Sequence, residues 1–124
     1  YEYVIKNIVY DDEKAATVKS GYLPNVDDTL KTKKGICFDY AALTTAMLRA
    51  RDIPCKLQIG YAGTVKHAWI SVYIRSKGWV DKAVEFSGES WSRMDPTFDS
   101  NSKDKENIQQ YIGDDDNYSV QFTR

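Results

Sequence analysis

Across residues 37–51 apolar side chains recur at helical spacing, with Tyr40, Leu43, Met47 and Ala50 on one stripe that Ala41, Ala46 and Leu48 widen. The spacing predicts a helix closed by Asp52-Ile53-Pro54, because proline pushes the residue before it out of helical geometry. The period then drops to two. Cys55, Leu57, Ile59 and Tyr61 alternate with Lys56, Gln58 and Gly60, and a turn-sized link over residues 62–66 leads to a clearer strand over 67–74. There His67, Trp69, Ser71 and Tyr73 share one face while Ala68, Ile70, Val72 and Ile74 share the other, the expected core face.

The flanking segments are shorter-ranged. Tyr3, Val4, Ile5, Ile8, Val9 and Tyr10 fit a helical stripe, and Asp11-Asp12-Glu13 reads as a solvated face or a helix start. Gly21-Tyr22-Leu23-Pro24-Asn25 is a breaker cluster, and residues 26–34 form a connection with at most a short helix. Beyond the second strand come a polar turn at Arg75-Ser76-Lys77-Gly78, extended segments over 78–80 and 82–86, and a turn at Ser87-Gly88-Glu89-Ser90. A strand over 91–95 ends at Pro96. The tail holds a polar loop over 99–104, a helix through Ile108, Tyr111 and Ile112, an acidic turn at Asp114-Asp115-Asp116, and a closing strand over 118–122. The pattern predicts an α+β fold in which the Cys37 helix packs on an antiparallel sheet of four or five strands.

Composition narrows the classes without choosing one. A chain of 124 residues with 42% hydrophobic content suits a single domain over 1–124 with one core. With 17 basic and 18 acidic side chains, no net field favours nucleic acid or an anionic membrane. No apolar run approaches the ~18 residues that span a bilayer, so membrane insertion is not expected. A start at Tyr1 rather than methionine suits a mature form or an excised fragment of a longer chain. Two cysteines and one histidine are too few for a disulfide framework or a structural zinc site, and neither metal nor cofactor is expected.

Candidate chemistry centres on Cys37, at the entry of the predicted helix. Unpaired N–H groups and the positive end of the helix dipole favour a thiolate there, Gly35 allows close backbone approach, and Lys33 and Lys34 are solvated. A lone cysteine opening a helix is more often a small core residue. The sole histidine, His67, could take the thiol proton and return it to a leaving group; the plainer reading packs it beside Trp69. Asp95 could hold the second imidazole nitrogen, or be a turn aspartate before Pro96.

Together these residues resemble the transglutaminase-like superfamily, cysteine enzymes related in architecture to papain. The resemblance rests on Gly35-Ile36-Cys37-Phe38-Asp39-Tyr40-Ala41, on Met47-Leu48-Arg49-Ala50 followed by Ile53-Pro54, on Gly60-Tyr61, on His67-Ala68-Trp69 and on Asp95-Pro96-Thr97, covering roughly residues 20–100. It implies a papain-like core and a Cys37, His67, Asp95 triad, with the cysteine on a helix and its partners on neighbouring antiparallel strands. It further implies attack on a protein or peptide amide, a thioester on Cys37, and resolution by water or by a primary-amine acceptor. The Cys37 backbone N–H is one oxyanion donor. Relatives supply glutamine or tryptophan as the second, yet residues 22–36 contain neither, leaving Tyr22 or another backbone N–H as substitute. Trp69 and Tyr61 either line an acyl groove or pack. Asp39 is expected to cap the helix, Arg49 to form a surface ion pair, Cys55 to be an inert buried thiol, and Trp79 and Trp91 to lie in the core or on the sheet surface. The same resemblance implies a bacterial origin and a leaning toward a secreted or cell-surface setting, with the compartment itself not legible in the sequence. The rival readings are a noncatalytic peptide-binding module that keeps the fold, and a structural domain with a Cys37–Cys55 disulfide.

Overall fold

A computed structural model of the chain describes residues 1–74, 77–80, 84–87 and 90–124, with side chains described outside 74–90. In chain order the elements are α1 (Glu2–Asn7), β1 (Val9–Tyr10), α2 (Asp12–Thr17), α3 (Val26–Thr32), β2 (Lys34–Gly35), α4 (Cys37–Arg49), β3 (Cys55–Ala62) and β4 (Val65–Ile74). They continue with β5 (Lys77–Val80), β6 (Val84–Ser87), β7 (Ser90–Met94), α5 (Pro96–Asn101), α6 (Lys105–Gly113), a 3-10 turn (Asp115–Asn117) and β8 (Tyr118–Thr123).

The main sheet is antiparallel, in the order β7-β4-β3-β8, with Gly60 opposite His67 and Ile70 opposite Met94. Helix α4 covers the face expected to be apolar: Ala68, Ile70 and Val72 pack with Ala41, Cys55 and Met94, and Leu57 and Ile59 close around them. Burying each of the larger side chains stabilises the fold by about 1.5–3 kcal/mol. The opposite face is buried too at this end of the sheet. Trp69 packs there with Ala62 and Tyr118, beneath Phe98 of α5 and Tyr111 of α6. Strand β8 approaches β3 so closely that a Cβ on Gly60 would lie 1.9 Å from the Ser119 carbonyl oxygen, so only glycine fits.

Several local features depart from the sequence reading, and Val65, Lys66 and Ser90, read as turn residues, lie in β4 and β7. The tail segment read as a polar loop begins as α5, because Asp95 Oδ1 accepts the Phe98 N–H at 3.1 Å and Pro96 occupies the first helical position, where its fixed φ suits a helix and its missing N–H costs nothing. The N-terminal stripe breaks at Ile8, after which Val9 and Tyr10 pair in parallel with Lys34 and Gly35. Lys77 and Gly78, read as part of a turn, belong to β5, which pairs with β6. The expectations for Arg75, Ser76, Lys82, Ala83, Gly88 and Glu89, and for the Trp79 side chain, lie outside the described residues. Among the described residues no helix is long and apolar enough to cross a membrane.

Candidate active site

Cys37 is the first residue of α4 and is half-buried. The helix start is held by Asp39, a buried carboxylate in the first turn. Its Oδ2 accepts the Ile36 N–H at 2.9 Å and the Lys14 ammonium at 3.1 Å, while its Oδ1 accepts the Tyr22 hydroxyl at 2.5 Å. The expected capping role is therefore present, and it recruits α2 and the breaker segment as well. Gly35 is required beside it: a Cβ there would stand 2.5 Å from that of Asp39. Breaking such a charged, buried contact would cost about 1.5–3 kcal/mol.

On the sheet side, His67 Nε2 lies 2.7 Å from Asp95 Oδ2, with both residues buried. Cys37 lines the same two cavities as the imidazole and acts on it electrostatically. Burial alone would push the His67 pKa down, but the hydrogen bond to Asp95, then the neighbouring Cys37, and the charges of both raise it to about 9. Asp95 is itself fixed three ways, by His67, by the Phe98 N–H and by the Tyr118 hydroxyl, which donates to Oδ2 at 2.9 Å. The Phe98 ring stacks on the imidazole at 4.3 Å between centroids and 12° between planes, setting its tilt. Neither Phe98 nor Tyr118 stands out in the sequence. The Asp-Pro helix start is a signal that could have found Phe98, whereas nothing local points from Tyr118 to Asp95.

Two cavities meet at Cys37 and His67. One, of about 420 Å³, is walled by residues 18–22 with Ile36, Phe38, Ile59, Lys66 and Ala68; the other, of about 390 Å³, by Tyr10, Asp12, Val65, Lys66, Thr97, Phe98 and Asn101. Of the residues expected to touch substrate, Tyr22 borders the first cavity, but its only hydroxyl proton is committed to Asp39, so it cannot also serve an oxyanion. Trp69 is fully buried, with its indole N–H on Gln58 Oε1 at 3.1 Å, and lines neither cavity. Tyr61 is exposed on β3 and also lines neither. Of the two alternatives for Trp69 the structure has the packed one, and Tyr61 borders neither of these two cavities: alternation gives the face of a strand residue but not what covers that face. Among the described residues Arg49 makes no ion pair and instead donates to the carbonyls of Cys55 and Arg124. Cys55 is buried beside the Thr45 hydroxyl, and both cysteines are free thiols rather than a disulfide. Among the described residues no group of three or more His, Cys, Asp or Glu side chains converges as a metal site would require.

The chain is similar to several known proteins. The model of a family described as the transglutaminase-like superfamily matches residues 1–96, starting well before the segment expected from the motifs. A UPF0252 protein of Methanocaldococcus jannaschii is 42% identical over 69 residues, covering 51% of this chain and 20% of that protein. Among solved structures, a candidate cysteine protease from Cytophaga hutchinsonii superposes with a TM-score of 0.54 at 25% identity, over 77% of this chain and 28% of that one. A TGase superposes with a TM-score of 0.54 at 19% identity, over 77% of this chain and 24% of that one. The chain thus spans between a fifth and a third of the length of these proteins, and its α+β core is built as papain-like and transglutaminase cores are.

Proposed function

This chain belongs to the transglutaminase-like superfamily, and on that premise we propose that Cys37, His67 and Asp95 are a catalytic triad for acyl transfer or hydrolysis at a protein or peptide amide. The observation that carries the reading is the buried 2.7 Å contact between His67 Nε2 and Asp95, which leaves the other ring nitrogen for Cys37 at the mouth of two cavities.

The Cys37 sulfur adds to the amide carbonyl carbon. His67, held in its protonated form by Asp95, gives its proton to the departing nitrogen, and a thioester remains on Cys37. Water or a primary amine then attacks that thioester, with His67 accepting the proton of the nucleophile. Asp95 does not exchange protons; it orients the ring and stabilises its charge. No cofactor takes part in this scheme. The protein substrate, the amine acceptor and a secreted or cell-surface bacterial setting belong to the same proposal.

Incubation with a glutamine-bearing peptide and a tagged primary amine tests it. Tag incorporated into the peptide indicates transfer, and released ammonia or cleaved peptide without tag indicates hydrolysis. Either product persisting undiminished in Cys37→Ala would refute the scheme.

A further inference from the structure

Thioester formation passes through a tetrahedral oxyanion, and the Cys37 backbone N–H, without a partner among the described residues at the helix start, is only one donor. The tyrosine hydroxyls around the site are almost all committed. Tyr1 donates to Asp99, Tyr22 to Asp39, Tyr40 to the Ile8 carbonyl and Tyr118 to Asp95. Tyr10 differs. It lines the 390 Å³ cavity together with Cys37 and His67, and its hydroxyl has no hydrogen-bond partner among the described residues.

Its position is also fixed. Tyr10 pairs with Gly35, two residues before the nucleophile, and this short parallel ladder is clamped by Val9 N–H to the Lys33 carbonyl and Asp11 N–H to the Gly35 carbonyl, each at 2.9 Å. The ring packs against the cluster of Val4, Ile8, Tyr40 and Leu43. Burial, and then the nearby Cys37 charge, raise the Tyr10 pKa, so the hydroxyl keeps its proton near neutral pH. The other hydroxyl at this cavity, on Thr97, has its oxygen sealed from solvent and therefore from substrate. Lys66 borders both cavities, but it is exposed, and an exposed lysine ammonium holds its hydration shell on a flexible stem and so is poorly preorganised for an oxyanion.

We propose that the Tyr10 hydroxyl is the second oxyanion donor, acting with the Cys37 backbone N–H. The role rests on the thioester scheme above. Attack forms the sulfur–carbon bond and moves the carbonyl π pair onto oxygen, where Tyr10 and the Cys37 N–H donate to it. Collapse restores the carbonyl and breaks the carbon–nitrogen bond, and the nitrogen leaves with the His67 proton.

Two reagents separate this role from a merely structural one. Acylation of Cys37 by 4-nitrophenyl acetate develops an oxyanion, whereas alkylation by iodoacetamide does not. In Tyr10→Phe, acylation is expected to slow on the order of 10²-fold, while the alkylation rate at Cys37 stays within about twofold of wild type. Acylation as fast as wild type would overturn the Tyr10 role alone. Equal slowing of both reactions would assign Tyr10 to positioning the thiol and would also overturn it. A wild-type chain alkylated at Cys37 but never acylated there would overturn the thioester scheme and the Tyr10 role with it.

Discussion

Cys37 begins α4 and Cys55 packs against it, yet they occupy opposite kinds of surroundings. Cys55 opens β3 beneath the helix, 5% exposed, with the Thr45 hydroxyl 3.6 Å away and a pKa raised by burial. Cys37 opens the helix itself, half-buried where two cavities join, with His67 beside it and Asp95 behind His67. The contrast teaches that the thiol is common and its setting is not. One cysteine is a small apolar filler; the other is met by a histidine that four further contacts hold in place through Asp95 and Phe98.

The largest effect that would break the comparison is a swap of consequences between the two thiols. Cys37→Ala is expected to lower amide or ester turnover by more than about 10³-fold, and Cys55→Ala to leave it within about twofold, read as kcat/KM on the same substrate. Next comes Asp95→Asn, which keeps the shape but removes the charge that favours the His67 imidazolium. A loss on the order of 10²–10⁴-fold is expected in kcat, with KM little changed.

Much of this site is legible in the amino-acid sequence. The stripe through Tyr40, Leu43 and Met47 and the alternation through Ala68, Ile70 and Val72 place α4 on the sheet, because local periodicity records which face a segment buries. Family order points to Cys37, His67 and Asp95 together. What is not legible is non-local. Trp69 lies opposite the apolar face, and nothing near it in sequence announces that Tyr118, Phe98 and Tyr111 close over it. Tyr22 stands upstream of Cys37, where an oxyanion donor is expected, but its hydroxyl turns to Asp39; Tyr10 reaches the site only through a two-residue strand pairing hidden within an apparent helical stripe. Helix α5 is legible in principle, since aspartate followed by proline is a helix start as well as a turn.

A smaller effect sharpens the comparison through pH. The His67 pKa is raised from 6.5 to about 9, so the stability it contributes is complete below pH 6.5 and is lost as pH rises through about 9. Urea midpoints should therefore decline across that window in wild type and decline less in Asp95→Asn. The smallest effect belongs to the inert thiol. Cys55→Ala should cost about 1 kcal/mol, measured from the same urea curves at constant slope.

The most direct measurement uses both cysteines in one tube. The folded chain is treated briefly with iodoacetamide at pH 7, and the two labelled peptides are quantified by mass spectrometry in wild type, in His67→Ala and in urea. The account predicts fast labelling of Cys37 and almost none of Cys55, a clear slowing at Cys37 in His67→Ala, and near parity of the two thiols in urea. Equal labelling of both thiols in the folded chain, preferential labelling of Cys55, or a Cys37 rate indifferent to His67 would contradict it.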